Sequence, residues 1–244
     1  MNLTQKIVLI TGGAVRVGRA ISKELALGGA VVCCQYFNSA SEARQLKEEV
    51  QKNGGKLEVY PADLSKISSG KNLVEKIHRE YGRIDVLVNN AALFFKTPFG
   101  TVSEEQWDTL LNLNLKAVFF LSQEVGRLMR NRKSGKIINI ADSGALSPFP
   151  SYLPYSISKA GVVALTKGLA KALAPHVQVN CINPGPVLFP DEFPDNEKDF
   201  AIKQTLLNRA GTPDDIARTV RFLIEGTDYI TGTCVAVDGG RHIR

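Results

Sequence analysis

Short, mostly apolar runs alternate with longer amphipathic ones from one end of this 244-residue chain to the other. The short runs lie at 7–10, 30–35, 57–60, 84–88, 136–141, 177–182 and 233–237. Runs without a polar alternate position fit strands buried on both faces. Helical periodicity fills the gaps at 17–28, 40–51, 70–81, 104–130, 155–173 and 213–226. Punctuation supports these bounds. Ser103 with Gln106 reads as a capping box. Thr212-Pro213-Asp214-Asp215 places a cap, a proline at the first helical position and acids at the positive end of the dipole.

Seven strands alternating with helices specify the α/β class: a doubly wound, mostly parallel seven-stranded sheet of the Rossmann type, in one domain spanning 1–244. One stretch breaks the rhythm. Residues 183–211 are proline-rich and acidic, and they follow the sixth strand, where such folds place a substrate lid.

Composition narrows the function classes. The chain is 44% hydrophobic with a net charge of +6, but its basic residues do not form a nucleic-acid patch. The densest basic stretch, 127–136, reads as a solvated helix end. No apolar run is long enough to span a membrane, and the N-terminus lacks a signal-peptide pattern, so a cytoplasmic location is expected. Cys33, Cys34, Cys181 and Cys234 sit in apolar runs and read as reduced, buried thiols. His78, His176 and His242 are scattered, and no metal site is expected.

The first strand leads into Thr11-Gly12-Gly13-Ala14-Val15-Arg16-Val17-Gly18, which opens the first helix. A glycine-rich turn in that context presents backbone N–H groups and a helix N-terminus to a pyrophosphate. The spacing resembles the TGxxxGxG turn of the short-chain dehydrogenase/reductase family. Four further segments resemble that family's motifs in the right order: Asn89-Asn90-Ala91-Ala92, Tyr155-Ser156-Ile157-Ser158-Lys159, Asn183-Pro184-Gly185 and Val237-Asp238-Gly239-Gly240. Asn114 falls where the family has its active-site asparagine. The resemblance implies that Asn90, Ala91, Pro184 and Gly185 line the cofactor, that Asp63 with Leu64 borders its adenine, and that the protein is a homotetramer. A helix-cap role for Asp63 is nearly as well supported.

A dinucleotide with a free ribose needs a carboxylate after the second strand. Gln35-Tyr36-Phe37-Asn38-Ser39 offers none, whereas Arg16, Asn38 and Ser39 supply donors for a 2′-phosphate. NADPH is the expected cofactor.

Tyr155 and Lys159 share one helix face. A tyrosine hydroxyl titrates near 10, and a neighbouring ammonium brings it closer to use as a proton donor. The family's usual serine, 13 residues before the tyrosine, is replaced by Asp142, with Ser143 beside it. An ionised carboxylate repels a developing alkoxide. Together with Arg16 and Phe94, Asp142 resembles the pteridine reductases, in which the aromatic stacks the pterin. Segments 35–40, 190–194 and 230–235 add to that likeness.

The leading expectation is therefore an NADPH-dependent reductase of pterins or folates. It would deliver hydride to a C=N ring bond, with Tyr155 as proton donor beside the cofactor, Lys159 tuning it and holding the nicotinamide ribose, and Phe94 and Asp142 holding the ring. The second is a carbonyl reductase such as a β-ketoacyl carrier-protein reductase. The third, a silent NADPH sensor, has no need of Tyr155 and Lys159.

Overall fold

A computed structural model describes residues 1–189 and 193–244. Seven strands form one sheet: β1 (Ile7–Ile10), β2 (Val31–Tyr36), β3 (Lys56–Pro61), β4 (Val86–Asn89), β5 (Gly135–Ile140), β6 (Val177–Pro184) and β7 (Cys234–Val237). Their spatial order is β3-β2-β1-β4-β5-β6-β7, and every pairing is parallel. Leu9 sits in register with Cys33 on one side and Leu87 on the other. The strand order reverses between β1 and β4, which opens a crevice at their carboxyl ends.

Helices cover both faces, so β1 and β4 at the centre are buried throughout, whereas β3 and β6 keep polar residues at Glu58, Gln178 and Asn180. Helix α1 (Arg16–Leu27) buries Gly18, Ile21, Ser22, Leu25 and Ala26, a 3.6-residue stripe. It shares one core with α2 (Ala40–Lys52) and α8 (Pro213–Glu225). The opposite core receives α3 (Ile67–Tyr81), α5 (Val118–Asn131) and α6 (Leu153–Leu173). The capping boxes of α4 (Glu104–Leu111) and α8 form as the sequence predicts.

Two expectations fail. The helix predicted over 104–130 is divided: α4 ends at Leu111, residues Asn112–Ala117 form a π-helical turn, and α5 continues. Hydrophobic periodicity does not register a single slip of the hydrogen-bond ladder. The basic stretch 127–136 is not wholly solvated either. Lys136 is 2% exposed, and its ammonium donates to the carbonyls of Leu223, Ile224 and Thr227 at 3.1, 2.8 and 2.9 Å. It closes the C-terminus of α8, where the helix dipole is negative. Arg132 likewise pairs with buried Asp85 at 2.8 Å.

The segment after β6 contains α7 (Asp195–Lys203). Among the described residues, no helix is long and apolar enough to cross a membrane, and no cluster of metal-ligating side chains occurs.

Candidate active site at the carboxyl ends of the strands

The glycine turn after β1 is laced to three neighbouring strand ends. Thr11 Oγ1 accepts from the backbone N–H groups of Asn90 and Ala91 at 2.9 and 3.0 Å. The Asn90 amide donates to the carbonyls of Thr11 and Gly12, each at 3.0 Å. Gln35, buried at the end of β2, accepts from Gly12 N at 2.8 Å and donates to the Ala62 carbonyl at 2.7 Å. Gly12 sits at φ +59, and a Cβ at Gly18 would collide with the Gly12 carbonyl.

Arg16 stands at φ +52, a region that costs a side-chain-bearing residue about 1–2 kcal/mol. Its guanidinium donates to the Leu188 carbonyl at 2.9 Å, tying the turn to the segment beyond β6. Val17 follows in α1 and packs against the core. Asn38 is exposed, and Ser39 begins α2 without a side-chain capping bond. At the end of β6, Pro184 leads into Gly185, where a Cβ would lie 2.7 Å from the Asp238 backbone.

Asp63 does not cap α3, whose N-cap is Lys66. It accepts instead from Ser65 N and Oγ at 3.1 and 2.6 Å in a local turn, with Leu64 buried beside it. Those bonds and Lys66 lower its pKa.

The π-helical turn aims Asn114 at the loop after β4. Its carbonyl oxygen accepts from Leu93 N at 2.8 Å, and its amide donates to Leu93 O at 2.9 Å and Ser158 Oγ at 3.3 Å. Lys159 is buried and donates to the Ile140 carbonyl at 2.8 Å. Its ammonium lies 5.8 Å from the centre of the Tyr155 ring.

Asp142, not Ser143, meets the tyrosine. Asp142 Oδ2 accepts from the Tyr155 hydroxyl at 3.0 Å, and Oδ1 accepts from Gly144 N at 2.6 Å. Ser143 is buried in the following 3-10 turn. Burial raises the Asp142 pKa above the ordinary carboxylate range, against the opposing pull of Gly144 N–H, Lys159, Tyr155 and Arg241. Burial and the Asp142 charge hold Tyr155 protonated well beyond its usual range. Burial pulls Lys159 down.

Phe94 is 39% exposed, so it is not a core aromatic. It stacks on Tyr152, with centroids 4.4 Å apart and planes 5° from parallel, and meets the Tyr155 ring edge-on at 4.8 Å. Phe149 adds an edge contact to Tyr152. Of the residues 190–194 singled out above, 190–192 lie outside those described.

Sequence reasoning missed Tyr152, Phe149 and Arg241 around this site. Tyr152 lies three residues before Tyr155, and a charged residue directly after Gly239-Gly240 was the available signal for Arg241.

Residues 13–242 match the family described as enoyl-(acyl carrier protein) reductase. A short-chain dehydrogenase/reductase from Serratia marcescens superposes with a TM-score of 0.93 at 33% identity, covering 99% of this chain and 100% of that one. The chain belongs to the short-chain dehydrogenases/reductases. Within that family it is 34% identical to the 3-oxoacyl-(acyl-carrier-protein) reductase FabG of Thermotoga maritima over 98% of this chain and 99% of the relative. It is 36% identical to the 3-oxoacyl-(acyl-carrier-protein) reductase of Synechocystis sp., over 98% and 97%. A blue fluorescent protein from a metagenomic library, solved in complex with NADPH, matches with a TM-score of 0.90 at 30% identity over 99% of both chains.

These relatives overturn the pterin or folate reductase expectation. Full-length similarity runs to short-chain enzymes named for 3-oxoacyl reduction, the second of the three sequence readings. Asp142, Arg16 and Phe94 suggested otherwise because three positions outweighed the likeness carried by the rest of the chain.

Proposed function

We propose that the protein is an NADPH-dependent reductase of 3-oxoacyl thioesters. The observation that carries this is the Tyr155 hydroxyl held against Asp142, one helical turn from Lys159, at the carboxyl ends of the central strands. Relatives at 34–36% identity named for that reaction support it.

The turn suits a phosphorylated dinucleotide. Gly12 and Gly18 let the turn close tightly, since a Cβ at Gly12 would press on Ala91 and one at Gly18 on the Gly12 carbonyl, and no carboxylate directly follows β2. Gly12, Val17 and Gly18 would receive the pyrophosphate, and Arg16, Asn38 and Ser39 the 2′-phosphate. Asp63 and Leu64 would border the adenine, and Asn90, Ala91, Pro184 and Gly185 the remainder. When bound, NADPH supplies the hydride.

Tyr155 donates its proton to the carbonyl oxygen as the alcohol forms. The phenol is the form that reduction consumes, and Asp142 favours it. A protonated Asp142 is itself a donor, able to take the place of the family serine. Burial increases that form relative to an exposed aspartate. Lys159 provides positive charge beside the phenol, and Asn114 fixes the loop bearing Phe94. The described residues of the segment 183–211 would cover the substrate. Trp107, Phe119 and Ile157, each 40–46% exposed, supply apolar surface for a homotetramer. The enzyme is cytoplasmic in this reading.

The test is NADPH consumption with acetoacetyl thioesters, with NADH in parallel. Turnover of the thioester with a marked NADPH preference is expected. No turnover of any 3-oxoacyl thioester would overturn the reading.

A further inference from the structure

Arg241 follows β7 and the Gly239-Gly240 pair, at the start of a short 3-10 turn. The glycines, both at positive φ, redirect the chain so that this arginine returns toward the site. Its guanidinium carbon lies 5.1 Å from the centre of the Phe149 ring. Phe149 touches Tyr152, which stacks on Phe94 against Tyr155. Arg241 is thus joined to the catalytic tyrosine through a continuous aromatic wall.

The guanidinium is under-used. A partly buried arginine carries five N–H donors and pays for lost hydration unless they are met. Among the described residues its one hydrogen bond is a long contact to the Ala201 carbonyl, at 3.4 Å. It forms no salt bridge among them. The acids nearest in charge are Asp142 and Asp238. Both are committed elsewhere: Asp142 to Tyr155 and Gly144, Asp238 to Gly240 and His242. A cation held over an aromatic ring, close to the reacting centre and without a bonded anion, matches a planar carboxylate.

We infer that Arg241 is a specificity residue that receives an ionised carboxylate on the acyl portion of the substrate, a few bonds from the carbon that is reduced. This deepens the ketoreductase reading and rests on it for its substrate class. The phosphate of a carrier arm is the less suitable anion, because that arm extends away from the reacting carbonyl.

The test uses two N-acetylcysteamine thioesters, which lack any phosphate: 3-oxoadipyl, ending in a carboxylate, and 3-oxohexanoyl, its uncharged counterpart. Wild-type protein should prefer 3-oxoadipyl by roughly 10- to 100-fold in kcat/KM, the scale of a charge-assisted hydrogen bond. Arg241→Met should bring the ratio near parity through KM rather than kcat, and Arg241→Lys should restore part of it. A wild-type enzyme without the preference, or an unchanged ratio in Arg241→Met, overturns the assignment. If neither thioester is reduced, the ketoreductase reading fails, and adipate binding then tests Arg241 alone. Adipate should raise the wild-type melting temperature, hexanamide should not, and the rise should vanish in Arg241→Met. Equal shifts in both proteins would overturn the carboxylate site.

Discussion

The Tyr155 hydroxyl donates to Asp142 Oδ2 at 3.0 Å. Asp142 thereby stands where an acid-dependent rate can be read. Its pKa is raised by burial, so the protonated, donating form persists to higher pH than in an exposed aspartate. The reduction rate should fall as pH rises through that raised value. Asp142→Ser, which donates at every pH, should abolish this limb and hold or raise the rate above it. A limb that survives in Asp142→Ser would assign it to another group. Because Tyr155 is pushed upward, no second decline should appear near the usual tyrosine range.

Tyr155→Phe deletes one hydroxyl from a packed ring. Folding and dinucleotide affinity should be retained, while turnover falls about 100-fold or more, the scale of a lost general acid. Titration of NADPH fluorescence beside steady-state rates separates the two effects. Retained turnover would point to a different donor.

Arg16→Gly should split stability from binding. The left-handed backbone at Arg16 suits glycine, so the melting temperature should hold or rise. NADPH affinity should drop by about 1.5–3 kcal/mol, the value of a hydrogen bond to a charged group, with NADH nearly unaffected. Isothermal titration with both dinucleotides checks this. Equal losses would make Arg16 a tie to Leu188 and nothing more.

Lys136→Met keeps the stem and removes the ammonium. Two carbonyls in the last turn of α8 and the Thr227 carbonyl just beyond it then lose their donor, at about 1–3 kcal/mol for each left buried, and Asp228 loses its ion pair. A loss of at least about 3 kcal/mol is expected by urea unfolding, with kcat little changed. A loss below 1 kcal/mol would mean that water replaces the ammonium.

The central strands were legible because burial on both faces leaves them apolar, four motifs because each lies at a strand end, and Tyr155 with Lys159 because their spacing puts them on one face of α6. What escaped was long-range. Lys136 reads as one more surface cation until the last turn of α8, with Ile224 88 residues later, is seen above its ammonium. Arg241 gives no local sign of the Phe149 ring beneath it. The substrate reading failed at Asp142 for a related reason. Charge at a position is visible in a sequence, but the burial that shifts its protonation is not.

The π-helical turn at Asn112–Ala117 carries one residue more than an α-helix would need. A one-residue deletion there, for example of Leu113, would let α4 and α5 fuse into a single regular helix. The backbone would lose its least regular stretch, while Asn114 would rotate by roughly 100° about the axis and release Leu93. Regular helix geometry and the Asn114–Leu93 bonds thus exclude one another at this point, and the chain keeps the bonds.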